Sequence, residues 1–222
     1  MTDLPGKHQG GGRQAQGERT RQAVLATAVD IASVEGLEGL SIGRLASELK
    51  MSKSGLFAHF GSKEELQIET VEAAREIFVE RVIRPALPGE RGLARLWRLC
   101  QAWFDYAEGS VFRGGCFFMA ASAEFDGRPG PVRDKIADVM AAWGETLERA
   151  VRAAQEAGDL SLSVAPDQLA FELQSIMFGS NWANQLFRDK KAIARGRDAV
   201  RARLAGLAMP GREKTLSDQV TA

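Results

Sequence analysis

The chain has 222 residues, 45% of them hydrophobic and 26% charged, with a formal net charge of zero. That is apolar material for one large domain or two small ones, with an ordinary soluble charge balance. No apolar run is long enough to cross a bilayer, and Met1 to Gly17 lacks the apolar centre of a secretory signal, so a cytoplasmic protein without membrane contact is expected.

Residues 1–17 are polar and Gly/Gln-rich and read as a disordered arm. Lys7 and Arg13, with Arg19 just beyond, are the cations that could give that arm a role on DNA. From Thr20 the pattern turns helical: Val24, Leu25, Ala28, Ile31 and Ala32 share a face, and Gly36 closes the run. Ser41 caps a short helix with Ile42, Leu45, Ala46 and Leu49 on its inner side. Ser52 caps another that carries Leu56, Phe57 and Phe60. So few residues separate the two that they describe a helix-turn-helix. Ser62 and Glu65 form a capping box for a longer helix, which Pro85 and Pro88 stop. A helix then spans Leu93 to Ala107, and a dense apolar segment runs from Cys116 to Phe125. Long helices over 131–157 and 166–188 and a last one from Ala192 to about Leu207 follow. The end from Met209 reads as loose. No stretch alternates like a strand, so the fold class is all-α. Its expected parts are the arm 1–17, a three-helix head 18–62, a helical bundle 63–208 and a tail 209–222.

The block SIGRLASELKMSKSGLFAHF at 41–60, followed by GSKEEL, resembles the helix-turn-helix of the TetR family of repressors. Ser41, Arg44, Ser52, Leu56, His59, Phe60 and Lys63 match that family's pattern at fixed spacing. Phe57 stands where the family has a tyrosine, so a phenolic hydroxyl that meets a phosphate is missing. Between Arg13 and Lys63 seven cations face five anions, a net of +2, so position matters more than total charge. A helix starting at Ser52 offers free N–H groups and a positive dipole end to phosphates. Lys53 and Ser54 in its first turn reach phosphates or base edges, and Gly55 lets the backbone come close to the groove wall. Lys63 is placed as a phosphate clamp, and Thr20 and Arg21 lie near the flanking backbone. His59 either packs beside Phe60 or meets a phosphate. The basic arm either enters a minor groove or stays disordered.

The resemblance implies an all-α homodimer on double-stranded operator DNA, paired here through the 131–157 and 166–188 helices and reading a palindrome. It also implies a pocket for a small apolar effector. Candidate lining residues are Trp97, Cys100, Phe104, Phe117, Met119, Trp143, Phe178 and Trp182, with Gln101, Ser122 and Gln174 as polar contacts. The expected function is a repressor released from its operator by that effector; the alternative is a ligand-independent, all-helical protein-interaction module.

Nothing in the sequence invites catalysis. Ser47-Glu48-Leu49-Lys50 matches an S-x-x-K nucleophile motif, but it lies inside the helix-turn-helix and lacks SDN and KTG partners. With His8 and His59 the only histidines, and Cys100 and Cys116 the only cysteines and not paired as CxxC, no metal, cofactor or disulfide framework is expected.

Overall fold

The computed structural model describes residues 10–109 and 111–216. Helix α1 runs Gly10–Glu35, not from Thr20. Gln14 to Gln22 are mostly good helix formers, and a helix already nucleated extends upstream without a new nucleation cost. The Thr20 hydroxyl follows the helical register and donates to the Gln16 carbonyl at 2.9 Å. Of the expected disordered arm, residues 10–17 are therefore helical. Lys7 and His8 lie outside the described residues, as does the side chain of Arg13.

The next helices are α2 (Ile42–Leu49), α3 (Lys53–Phe60) and α4 (Lys63–Phe78). Between α2 and α3, Lys50 takes the left-handed conformation (φ 53°, ψ 36°) and its N–H returns to the carbonyls of Ala46 and Ser47. That single residue ends one helix and turns the chain for the next. Val24, Ala28, Ile31, Leu45, Leu56, Phe60, Leu66 and Val71 are all buried and close the head on α4. Beyond α4 the helix widens into a π-turn, Val79–Ile83, and ends in Arg84–Ala86 around Pro85. Pro85 brings no N–H, so the ladder loosens where its register would otherwise need that donor.

The bundle consists of α5 (Leu93–Glu108), α6 (Phe117–Phe125), α7 (Pro131–Glu156), α8 (Pro166–Leu186) and α9 (Ala192–Ala205). Leu147, Val151 and Ala154 of α7 and Leu169, Leu173 and Met177 of α8 lie in one buried core. Among the described residues there is no β-strand, only one isolated bridge between Leu160 and Ala208. No helix of the described chain is long and apolar enough to cross a membrane.

The tail is less loose than its composition suggests. A short 3₁₀ turn, Glu213–Leu216, buries Leu216. Arg212 Nε lies 3.0 Å from Asp159 Oδ1, while Asp159 Oδ2 accepts the Leu93 N–H at 3.1 Å and so caps α5. One buried carboxylate thus joins the tail to the start of the bundle.

Candidate nucleic-acid interface and interior cavity

Serine caps the starts of α2, α3 and α4. Ser41, Ser52 and Ser62 each accept, at 3.1 Å, the backbone N–H three residues on: Arg44, Gly55 and Glu65. In α3 the buried side chains are Leu56 and Phe60, so Lys53, Ser54, Phe57 and Ala58 are left exposed. Ser54 Oγ lies 3.3 Å from Ser52 Oγ, which keeps both hydroxyls at the open amino end. A Cβ at Gly55 would come within 3.0 Å of the Ser52 hydroxyl, so the small residue keeps that cap unobstructed.

The cations of the head divide sharply by surroundings. Arg44 is held by Glu35 and Glu48, with its Nη2 2.7 Å from Glu35 Oε1 and its Nη1 2.8 Å from Glu48 Oε2. The guanidinium in turn keeps the Glu35 carboxyl below its ordinary range. Lys63 Nζ sits 2.8 Å from Glu38 Oε1 and lowers that carboxyl likewise. Arg21 pairs with Glu69 of α4 and lies 5.4 Å from the Phe60 ring centroid. Lys53 is exposed, with no hydrogen bond or ion pair to another described residue. His59 is half-buried, its ring 6.2 Å from that of Phe60.

A contact absent from the sequence reading ties this head to the bundle. Glu124, near the end of α6, accepts the Leu37 N–H through Oε2 at 2.7 Å and the Glu38 N–H through Oε1 at 3.0 Å. Gly36 takes φ +84° beside it, and a Cβ there would meet Glu124 Oε1 at 2.8 Å. The same turn is held from α4, where Gln67 Nε2 donates to the Leu37 carbonyl at 2.9 Å. Just before α6, the Gly114 N–H donates to Ser33 Oγ at 3.2 Å, and Arg113 pairs with Asp30 at 2.6 Å. Gly114 approaches so closely that an added Cβ would lie 1.6 Å from the Ser33 carbonyl oxygen. Sequence distance hides these pairs, since 87 residues separate Leu37 from Glu124.

The other end of α6 borders a cavity inside the bundle. Its walls come from Phe78, Trp103, Cys116, Phe118, Met119, Val139, Met140, Trp143, Gln174, Met177 and Phe178. Phe78 stands edge-on to Trp143 at 5.2 Å and to Phe118 at 6.0 Å. Of the expected lining, Met119, Trp143, Phe178 and Gln174 are in these walls. Trp182 and Ser122 instead line an open groove over α6 and α8, which shares Cys116, Met119 and Phe178 with the cavity. Trp97, Cys100, Phe104 and Phe117 are core residues, buried without bordering it, and Gln101 borders neither space. The cavity holds about 20 Å³, room for about one water. Burial pushes the Cys100 thiol up to about 12 and also raises Cys116, although the Met119 and Phe118 amides act the other way. Both are therefore protonated at neutral pH.

Comparison with known proteins agrees with this architecture. The model of the bacterial regulatory proteins of the tetR family matches residues 24–70, and that of the tetracyclin repressor-like C-terminal domain matches residues 92–200. The transcriptional regulator AcuR of Cereibacter sphaeroides is 22% identical over 170 residues, which are 76% of this chain and 75% of that protein. A TetR transcriptional regulator from Chloroflexus aurantiacus superposes with a TM-score of 0.81 at 22% identity, covering 87% of this chain and 98% of the other. A TetR-family regulator from Cytophaga hutchinsonii gives 0.78 at 18% identity, over 87% and 97%.

Proposed function

Because the chain belongs to the TetR family of bacterial transcriptional regulators, we propose that it is a repressor that grips a palindromic operator as a homodimer and leaves it when a small apolar effector enters the bundle. The observation that carries the DNA reading is the presentation of α3. Its inner side chains are buried, its serine-capped amino end is open, and an unpaired Lys53 stands in its first turn. Free N–H groups, a positive dipole end and an uncompensated cation are what a phosphate backbone requires. Arg21, Arg44 and Lys63 are already ion-paired, so contacts of theirs to DNA require exchanging one anion for another; Thr20 is proposed to touch the flanking backbone.

Pairing is proposed through the α7 and α8 regions, with α8 supplying the apolar centre. Phe171, Trp182 and Leu186 are exposed along one side of α8, with Phe187 just beyond. One small head buries too little to select a site, whereas two related by a twofold axis read two half-sites.

The effector acts on a cavity too small to hold it as it stands. Entry must part the rings of Phe78, Phe118, Trp143 and Phe178, which displaces α6 and α8. Since α6 also carries Glu124, expansion of the cavity bears on the α1–α2 turn of the head. A compound that binds the expanded form better then shifts the dimer away from its DNA-competent geometry. No charged side chain is among the cavity walls, which suits an uncharged effector.

The test is selection of duplexes from a random or genomic pool by the full-length protein. Recovery of one inverted repeat is expected. Binding without sequence enrichment, or no salt-dependent affinity for DNA, would overturn the reading in favour of a protein-only interaction module.

A further inference from the structure

Phe57 lies in the middle of the outward face of α3 and is 57% exposed. Leu56 and Phe60 already fill the inward side, so the head has no use for this ring in its own core. No other aromatic ring of the described chain packs against it. Around it, Ile42, Gly43, Lys53, Ser54 and Ala58 form a shallow hollow between α2 and α3, apolar at its floor and polar at one rim. An isolated exposed phenylalanine is unremarkable on most surfaces. Here it shares its face with Lys53 one turn earlier and stands on a helix whose serine-capped amino end is exposed.

The ring has neither donor nor acceptor, so it can bond neither a phosphate nor a polar base edge. In a major groove one apolar feature is available to it, the C5 methyl of thymine. We infer that Phe57, backed by Ala58 and Ile42, is a sequence-reading residue that selects a thymine at a fixed place in each half-site. This rests on the DNA reading above and adds a specificity to it. Lys53 at the rim fixes the register by its phosphate, and the hollow then receives the methyl. Selectivity arises because cytosine offers hydrogen there in place of the methyl, leaving the ring against water or a polar edge.

Replacing thymine by uracil removes the methyl and nothing else. The full-length protein is first used to recover its duplex from a random pool, and each thymine is then replaced by uracil in turn. One thymine per half-site should prove sensitive, with about fourfold weaker binding for one replacement and on the order of fifteenfold for both, the worth of one buried methyl each. In Phe57→Ala that sensitivity should vanish at the same position, and selection with this variant should return a site degenerate there. The dependence of affinity on salt should be unchanged in Phe57→Ala, because the ring neutralises no phosphate. Tolerance of uracil at every position in the unsubstituted protein would overturn the inference, and that result needs no folded variant. An equal uracil penalty in Phe57→Ala would overturn it too, as would a flattened salt slope. A pool from which nothing is enriched overturns both the inference and the DNA reading; an enriched operator indifferent to uracil overturns the inference alone.

Discussion

Lys53 and Lys63 carry the same charge at the starts of consecutive helices, yet only Lys63 already has a carboxylate, at 2.8 Å. An exposed pair of this kind is worth about 0.2–1 kcal/mol, which a phosphate has to replace before any gain is made. Lys53 has nothing to give up. Lys53→Ala is therefore expected to weaken operator binding more than Lys63→Ala, and to flatten the slope of log affinity against log salt by about two for a dimer. Glu38→Gln, which releases Lys63 and removes a nearby anion, should tighten binding. Fluorescence anisotropy across a salt series reads all three, and a steeper loss in Lys63→Ala than in Lys53→Ala would contradict the ranking. This distinction was not legible in the sequence. The caps at Ser41, Ser52 and Ser62 were, because a cap is a contact over three residues. The partner of Lys63 lies 25 residues away, where spacing says nothing.

At the scale of elements, α6 does two things with its two ends. Phe118 and Met119 border the cavity, and Glu124 holds the turn between α1 and α2. Helical periodicity identified the inward face of each helix but not which inward residues border a void, so Trp97 and Phe104 were expected where Phe78, Trp103 and Phe118 stand. Void and core are the same pattern in one dimension; only the crossing of five segments separates them. Glu124→Ala leaves the Leu37 and Glu38 amides without their carboxylate, a loss of about 1–3 kcal/mol, with the lower end fitting a turn that water reaches. Amide hydrogen exchange at 37–40 should accelerate, while exchange within α7 and α8 stays as it was. Glu124→Gln keeps one acceptor and should fall between. In both variants, DNA affinity should become less sensitive to effector, because the head is no longer tied to α6. Unchanged exchange at this turn would show that the carboxylate does not hold it.

For the whole molecule, the exposed strip on α8 is the feature that a monomer leaves unexplained. Phe171, Trp182, Leu186 and Phe187 are 66%, 55%, 61% and 61% exposed, and Trp182 and Phe187 meet edge-on at 4.7 Å. Burial of such side chains is worth about 1.5–3 kcal/mol each, and a twofold axis counts every one twice. A single carboxylate in the strip enters the interface twice, once from each protomer, so the disruption is also doubled. Trp182→Glu is thus expected to convert the dimer to monomer in sedimentation velocity while far-UV circular dichroism keeps the helical signal, since the side chain supports no core of its own protomer. Leu162, 81% exposed but in the loop ahead of α8, provides the control: Leu162→Glu should stay dimeric. Affinity for the full palindrome should fall more than tenfold in Trp182→Glu, because each head then binds alone and loses the benefit of linkage. Affinity for an isolated half-site should hardly change, as Lys53 and Phe57 are untouched. A Trp182→Glu protein that remains a dimer would move the interface off this strip, and one that becomes a monomer yet keeps its grip on the palindrome would separate pairing from DNA recognition.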